Sequence, residues 1–207
     1  MSLLAYVIAV NSFDSNQVAL NHKSGFVAVI GKPNVGKSTL VNAYVGAKVA
    51  IVSPKPQTTR RVIRGILTRP DAQVIFVDTP GIHKPMHELG KVMVEAATRV
   101  VNSVDVVVFL TAGSQMPTDE DAQIGRLLDE KCRAPVLLAL NKMDRLKPED
   151  VQAVTEAHWA LVQYDDWMRV SATRGTNLDK LLDRILARLP QGPELYPADQ
   201  EIGRAHV

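Results

Sequence analysis

Short runs rich in Val, Ile and Leu alternate along this chain with segments whose apolar residues recur at helical spacing, the pattern of a mostly parallel sheet covered on both faces. Runs 26–30, 74–77, 106–110 and 136–140 read as buried strands, and 168–170 as a later, shorter one. Run 62–67 is predicted to lie antiparallel beside 74–77 at the sheet edge, because only 68–73 separates them. A helix is expected from Lys37 to Val45. The last helix is the clearest, since Leu178, Leu181, Leu182, Ile185, Leu186 and Leu189 fall on one apolar stripe. The predicted class is α/β: a six-stranded, mostly parallel sheet with one antiparallel edge strand and helices on both faces.

The ends read differently from the middle. Residues 1–24 are expected to be an N-terminal extension: Met1 to Val10 is apolar but short, with no basic residue ahead of it and no convincing cleavage pattern after it. A single domain is expected over 25–190. Pro190 and Pro193 stop the last helical pattern, so 191–207 reads as the start of a linker. Its final residues, Glu201 to Val207, read as an in-frame translation of a common sequencing adapter and are expected to be non-native.

Composition narrows the function classes. The 207 residues are 46% apolar, enough to bury a substantial core. A formal charge of +2 gives no general polyanion-binding surface, so any anion site must be local. One cysteine, Cys132, excludes an internal disulfide and a cysteine metal cage, and it fits a reducing cytoplasm. The chain contains no run of about 18 apolar residues, and no integral membrane segment is expected; peripheral membrane association stays open.

Three motifs carry chemistry. Gly31-Lys32-Pro33-Asn34-Val35-Gly36-Lys37-Ser38 matches G-x-x-x-x-G-K-[ST], directly after a predicted strand and opening a helix that continues through Thr39. Its glycines let successive N–H groups turn inward on phosphate oxygens, Lys37 is placed to reach the β- and γ-phosphates, and Ser38 offers a hydroxyl to Mg²⁺. This makes the fold a P-loop NTPase. The second motif, Asp78-Thr79-Pro80-Gly81, closes a hydrophobic strand. Asp78 would face the metal through water, and the Gly81 N–H would donate to the γ-phosphate.

The third motif, Asn141-Lys142-Met143-Asp144, follows the strand at 136–140. Guanine offers N1–H and an exocyclic amine on one edge, and a carboxylate such as Asp144 accepts from both. Adenine presents an acceptor there, and a site so built discriminates by on the order of 10⁴. Asn141 is expected to fix the loop and touch the base, while the Lys142 stem packs across its face. Ser171-Ala172-Thr173 is placed to supply a backbone donor to guanine O6.

The order and spacing of these elements resemble a small GTPase domain. Within that class, Pro56-Gln57-Thr58-Thr59-Arg60, Asp78 to Pro85 with Leu89-Gly90, and His22 to Phe26 are similar to the Era family of bacterial ribosome-assembly GTPases, over about residues 20–200. The resemblance implies binding of GTP and GDP with Mg²⁺, hydrolysis of GTP in the cytoplasm, and a role in maturation of the small ribosomal subunit and its 16S rRNA. Era proteins also carry a C-terminal RNA-binding KH domain, and the expectation here is of the G domain without it.

Site roles follow from the same resemblance. Era-like GTPases share an apolar residue where Ras-type enzymes place a water-orienting Gln, and here it is Ile82, which cannot hydrogen-bond. Asn34 has two readings: a residue helping to hold K⁺ along the phosphates, or a turn former tolerant of unusual backbone angles. Thr58 and Thr59 both suit the switch ligand to Mg²⁺, and Thr59 is preferred over its neighbour. The expected catalytic set is therefore Lys37, Thr59, Gly81 and Asn34, with Ser38, Thr59 and Asp78 on the metal. His83 and His87 read as exposed bystanders, Arg60, Arg61 and Arg64 as a solvated edge, and Trp159, Tyr164 and Trp167 as packing groups. Two other functions remain open: a GTP-dependent interaction module with negligible hydrolysis, and an Era-related GTPase of tRNA modification or transport.

Overall fold

The computed structural model describes residues 22–46, 63–77 and 98–197. Among them, β1 (Lys23–Ile30), β2 (Ile63–Arg69), β3 (Ala72–Val77), β4 (Val106–Ala112), β5 (Val136–Asn141) and β6 (Asp166–Arg169) form one sheet in the order β2-β3-β1-β4-β5-β6. All pairings are parallel except β2 with β3. The helices are α1 (Lys37–Val45), α2 (Asp119–Lys131), α3 (Val151–Trp159) and α4 (Leu178–Arg188), and residues 98–101 are also helical.

The α/β class and the antiparallel edge strand are as expected, but the hairpin is tighter than the sequence suggested. β2 runs on to Arg69 and β3 starts at Ala72, leaving Pro70 and Asp71 as the turn. Polar Thr68 and Gln73 hid this, since they read as loop. They pair across the hairpin, and the Gln73 amide donates to Thr68 Oγ1 at 3.1 Å and to the Tyr196 carbonyl at 2.7 Å. Its Oε1 accepts the Leu195 and Tyr196 N–H groups, so a fully buried glutamine is satisfied at both ends.

Strands β1 and β6 likewise begin ahead of their apolar runs. In β1, Ser24 N–H donates to the Pro190 carbonyl and Gly192 N–H to that of His22, so the chain beyond α4 lies against the first strand. In β6, Asp166 is held by the guanidinium groups of Arg184 and Arg188 on α4. Polar residues therefore extend both strands through specific partners rather than through hydrophobicity.

Period-two alternation sorts the core into two layers. Val27, Val29, Val108, Leu110, Leu137 and Ala139 pack with Leu40 and Val41 of α1 and Leu181, Leu182 and Ile185 of α4. The intervening Ala28, Ile30, Val107, Phe109, Leu138 and Leu140 pack with Ile124, Leu127 and Leu128 of α2 and with Val162. Trp159 and Trp167 meet edge to face with ring centroids 4.8 Å apart, the packing role expected of them. Because β3 and β4 flank β1 on opposite sides, the chain changes winding direction at β1, and the crevice at the carboxyl ends of β1 and β4 is where such sheets bind ligands.

Candidate functional site

The loop from Gly31 to Gly36 leaves β1 at that crevice and feeds α1. Asn34 sits at φ 62° and Gly36 at φ 105°, left-handed backbone that curls the loop on itself. Of its two readings, Asn34 shows the turn-former's geometry. Gly36 has a second constraint: a Cβ there would lie 2.3 Å from Asn141 Nδ2, so any larger residue would drive the loop off the base motif. No acidic residue occupies the first turn of α1 and no side chain caps it, which leaves its N-terminal partial positive charge to an anion. The Lys37 ammonium donates to the carbonyls of Gly31 at 2.7 Å and Lys32 at 2.8 Å, which ties its charge to the mouth of the loop. Ser38 and Thr39 follow, exposed, in the first turn.

Lys32 points the other way. Its ammonium meets Asp121 Oδ2 at 2.7 Å and Thr118 Oγ1 at 2.9 Å, with the two ion-paired side chains 12% and 1% exposed. Asp121 also accepts the Thr118 N–H and hydroxyl, closing the N-terminal turn of α2. The loop is thus anchored to α2 through a partly buried ion pair. Sequence reading placed Lys32 in the motif but missed its partner; the Thr118-x-x-Asp121 capping pattern was the available signal.

The base motif ends β5. Asn141 is buried, its Nδ2 donating to the Val35 carbonyl at 2.8 Å and its Oδ1 accepting the Ala172 N–H at 2.9 Å. One amide therefore joins the phosphate loop, β5 and the 171–173 loop. Lys142 adopts φ 63° and donates from Nζ to the Asn34 carbonyl at 2.5 Å, laying its stem across the gap between the two motifs. Asp144 Oδ1 accepts the Ser171 hydroxyl at 2.6 Å, and Arg174 lies 3.5 Å from Oδ2. The Ser171 hydroxyl first, and the charge of Arg174 with it, hold the Asp144 carboxyl below the usual carboxylate range. It is therefore an acceptor at neutral pH. Ala172 N–H is committed to Asn141, while Thr173 is exposed beside it.

Thr58, Thr59, Asp78, Thr79, Pro80, Gly81, Ile82, His83 and His87, with Arg60 and Arg61, lie outside the described residues. Arg64 does not: it lies on the edge strand as expected, and its Nη1 makes an exposed hydrogen bond to Ser38 Oγ at 3.1 Å. The exposed Ser38 oxygen is thus already engaged as a hydrogen-bond acceptor. Among the described residues, no cluster of His, Cys, Asp and Glu forms a metal site, and no helix is long and apolar enough to cross a membrane.

Comparison with known proteins agrees with this geometry. Residues 26–142 match the family described as 50S ribosome-binding GTPase. A structure of Era in complex with MgGDPNP and nucleotides 1506–1542 of 16S ribosomal RNA is 39% identical over 86% of this chain, with a TM-score of 0.69. An Era variant from Aquifex aeolicus bound to GDP and AlF4⁻ is likewise 39% identical over 86% of the chain, with a TM-score of 0.68. The chain spans 61% of the length of each. The G domain of the T. maritima FeoB iron transporter, at 20% identity and a TM-score of 0.58, shares the fold.

Proposed function

Since the chain belongs to the 50S ribosome-binding GTPase family and resembles Era, we propose that it is a GTP-hydrolysing switch acting in small-subunit ribosome assembly. The observation that carries the nucleotide reading is Asn141, whose one amide holds the phosphate loop and the guanine-reading loops in a single crevice. Lys37 and the loop N–H groups neutralise phosphate charge, and Asp144 reads the guanine edge as a carboxylate. Ser38 and Thr59 would hold Mg²⁺, and Asp78 would face it through water. When bound, the metal would supply charge neutralisation to the phosphates. Gly81 donates to the γ-phosphate, and Asn34 is offered to K⁺ in addition to its turn.

Phosphoryl transfer needs charge neutralisation and a positioned water more than covalent chemistry, and this chain's residues suit the first need directly. Ile82 cannot orient the water, which favours a second reading: a nucleotide-dependent interaction module that hydrolyses negligibly alone. Phosphate release from the purified chain with GTP and Mg²⁺ in K⁺ buffer separates the two. Steady turnover above the rate of the Lys37→Ala variant supports the switch; release equal to that variant leaves the module. The ribosomal role rests on the 39% identity to Era, one structure of which carries 16S rRNA nucleotides. A cytoplasmic location goes with that role.

A further inference from the structure

Strand β2 is irregular at one point. Its pairing with β3 shifts register between Ile63 and Gly65, so Arg64 is the extra residue of a β-bulge. A bulge turns its residue out of the alternation and re-aims the side chain. The next residue sets how close this edge comes to α1: a Cβ on Gly65 would lie 2.8 Å from Val45 Cγ2, so only glycine lets β2 pack this tightly against the helix. Bulge and close approach together direct Arg64 along α1 to its first turn, where Nη1 donates to Ser38 Oγ at 3.1 Å.

We infer that Arg64 is a positioning residue for the Ser38 hydroxyl that competes with Mg²⁺ for it, and so sets the metal concentration at which nucleotide is held. The inference rests on the proposed GTPase reading. A serine oxygen can serve a guanidinium donor or a divalent ion, and if both used it two positive charges would stand a few ångströms apart at the exposed mouth of the crevice and repel. One of them must leave. Arg64 satisfies the Ser38 oxygen through its 3.1 Å hydrogen bond, and Mg²⁺ taking that oxygen requires the guanidinium to swing off α1. An intrinsic weakness for the metal follows, and nucleotide release becomes easy whenever Mg²⁺ is scarce. Neutral residues at this position would lack that competition.

The test is the release rate of a ribose-labelled fluorescent GDP from the full chain, measured across a Mg²⁺ titration, for the wild type and for Arg64→Gln, Arg64→Leu and Arg64→Lys. The expected result is that the Mg²⁺ concentration giving half-maximal slowing falls about tenfold in the Gln and Leu variants, the scale of one charge-assisted hydrogen bond. Arg64→Lys, which keeps the charge without the planar fork, stays within about threefold of wild type. Release at saturating Mg²⁺ is the same in all four. An unchanged or raised half-maximal concentration in both neutral variants overturns the inference while leaving nucleotide binding intact. Failure of the wild type to bind the labelled GDP defeats the functional reading and this inference with it.

Discussion

Asn141 Nδ2 donates to the Val35 carbonyl at 2.8 Å, inside the protein, while Asn141 Oδ1 takes the Ala172 N–H. A residue of the base motif is thereby part of the phosphate loop's own support. Asn141→Ala orphans a buried carbonyl and a buried N–H, and the expected cost is about 2–4 kcal/mol of unfolding free energy in denaturant titrations without nucleotide. GDP affinity should fall as well. An unchanged midpoint would mean the clamp contributes no stability.

Asp144 is held as a carboxylate by the Ser171 hydroxyl, so its specificity is that of an acceptor pair. Asp144→Asn is expected to exchange guanine for xanthine, because the amide NH₂ donates to the xanthine 2-oxo group where the carboxylate accepted from the guanine amine. Competition between GDP and XDP reads this out. Retained preference for GDP places base recognition elsewhere.

In the Lys32–Asp121 pair the carboxylate is buried and the ammonium is partly so, which makes loss of the cation costlier than loss of the pair. Lys32→Met leaves a carboxylate that is 1% exposed without its cation, and the expected loss is about 3–5 kcal/mol. The double variant Lys32→Met/Asp121→Asn should recover part of that loss. Additive losses in a thermal or chemical melt would show that the two side chains do not interact.

His158 is buried on α3, with Nδ1 donating to the Val154 carbonyl at 2.7 Å and Nε2 without a partner among the described residues. Burial lowers its proton affinity below the ordinary value of 6.5. The unfolded chain therefore binds the proton first, and stability present above about pH 6.5 is lost as pH falls below it until the folded imidazole also titrates. His158→Leu is expected to flatten the dependence of the melting temperature between about pH 7 and pH 5. An identical slope in that variant would assign the acid sensitivity to other groups.

Most of the fold was legible because its strands are apolar on both faces: β4 and β5 are buried from end to end and could be nothing else. What escaped was polar. Gln73, Ser24 and Asp166 lie in strands, but each depends on a partner far along the chain, at 195–196, at 190 and 193, and on α4, which no local pattern announces. The same holds at the site. The phosphate and base motifs could be read from their spacing, whereas the links between them run through single side chains: Asn141 to Val35, Lys142 to Asn34, Lys32 to Asp121. Arg64 read as one more exposed cation of an edge strand, and only the bulge beside Gly65 turns it to Ser38.

The proposed function stands or falls on one crevice binding guanine nucleotide through both motifs together. Isothermal titration of the full chain with GDP in Mg²⁺, beside ADP and beside the Lys37→Ala variant, tests it most directly. GDP is expected to bind at about micromolar affinity or tighter, with on the order of 10⁴-fold preference over ADP, and both are expected to be lost in the variant. Equal affinity for ADP, or undiminished GDP binding by Lys37→Ala, would contradict it.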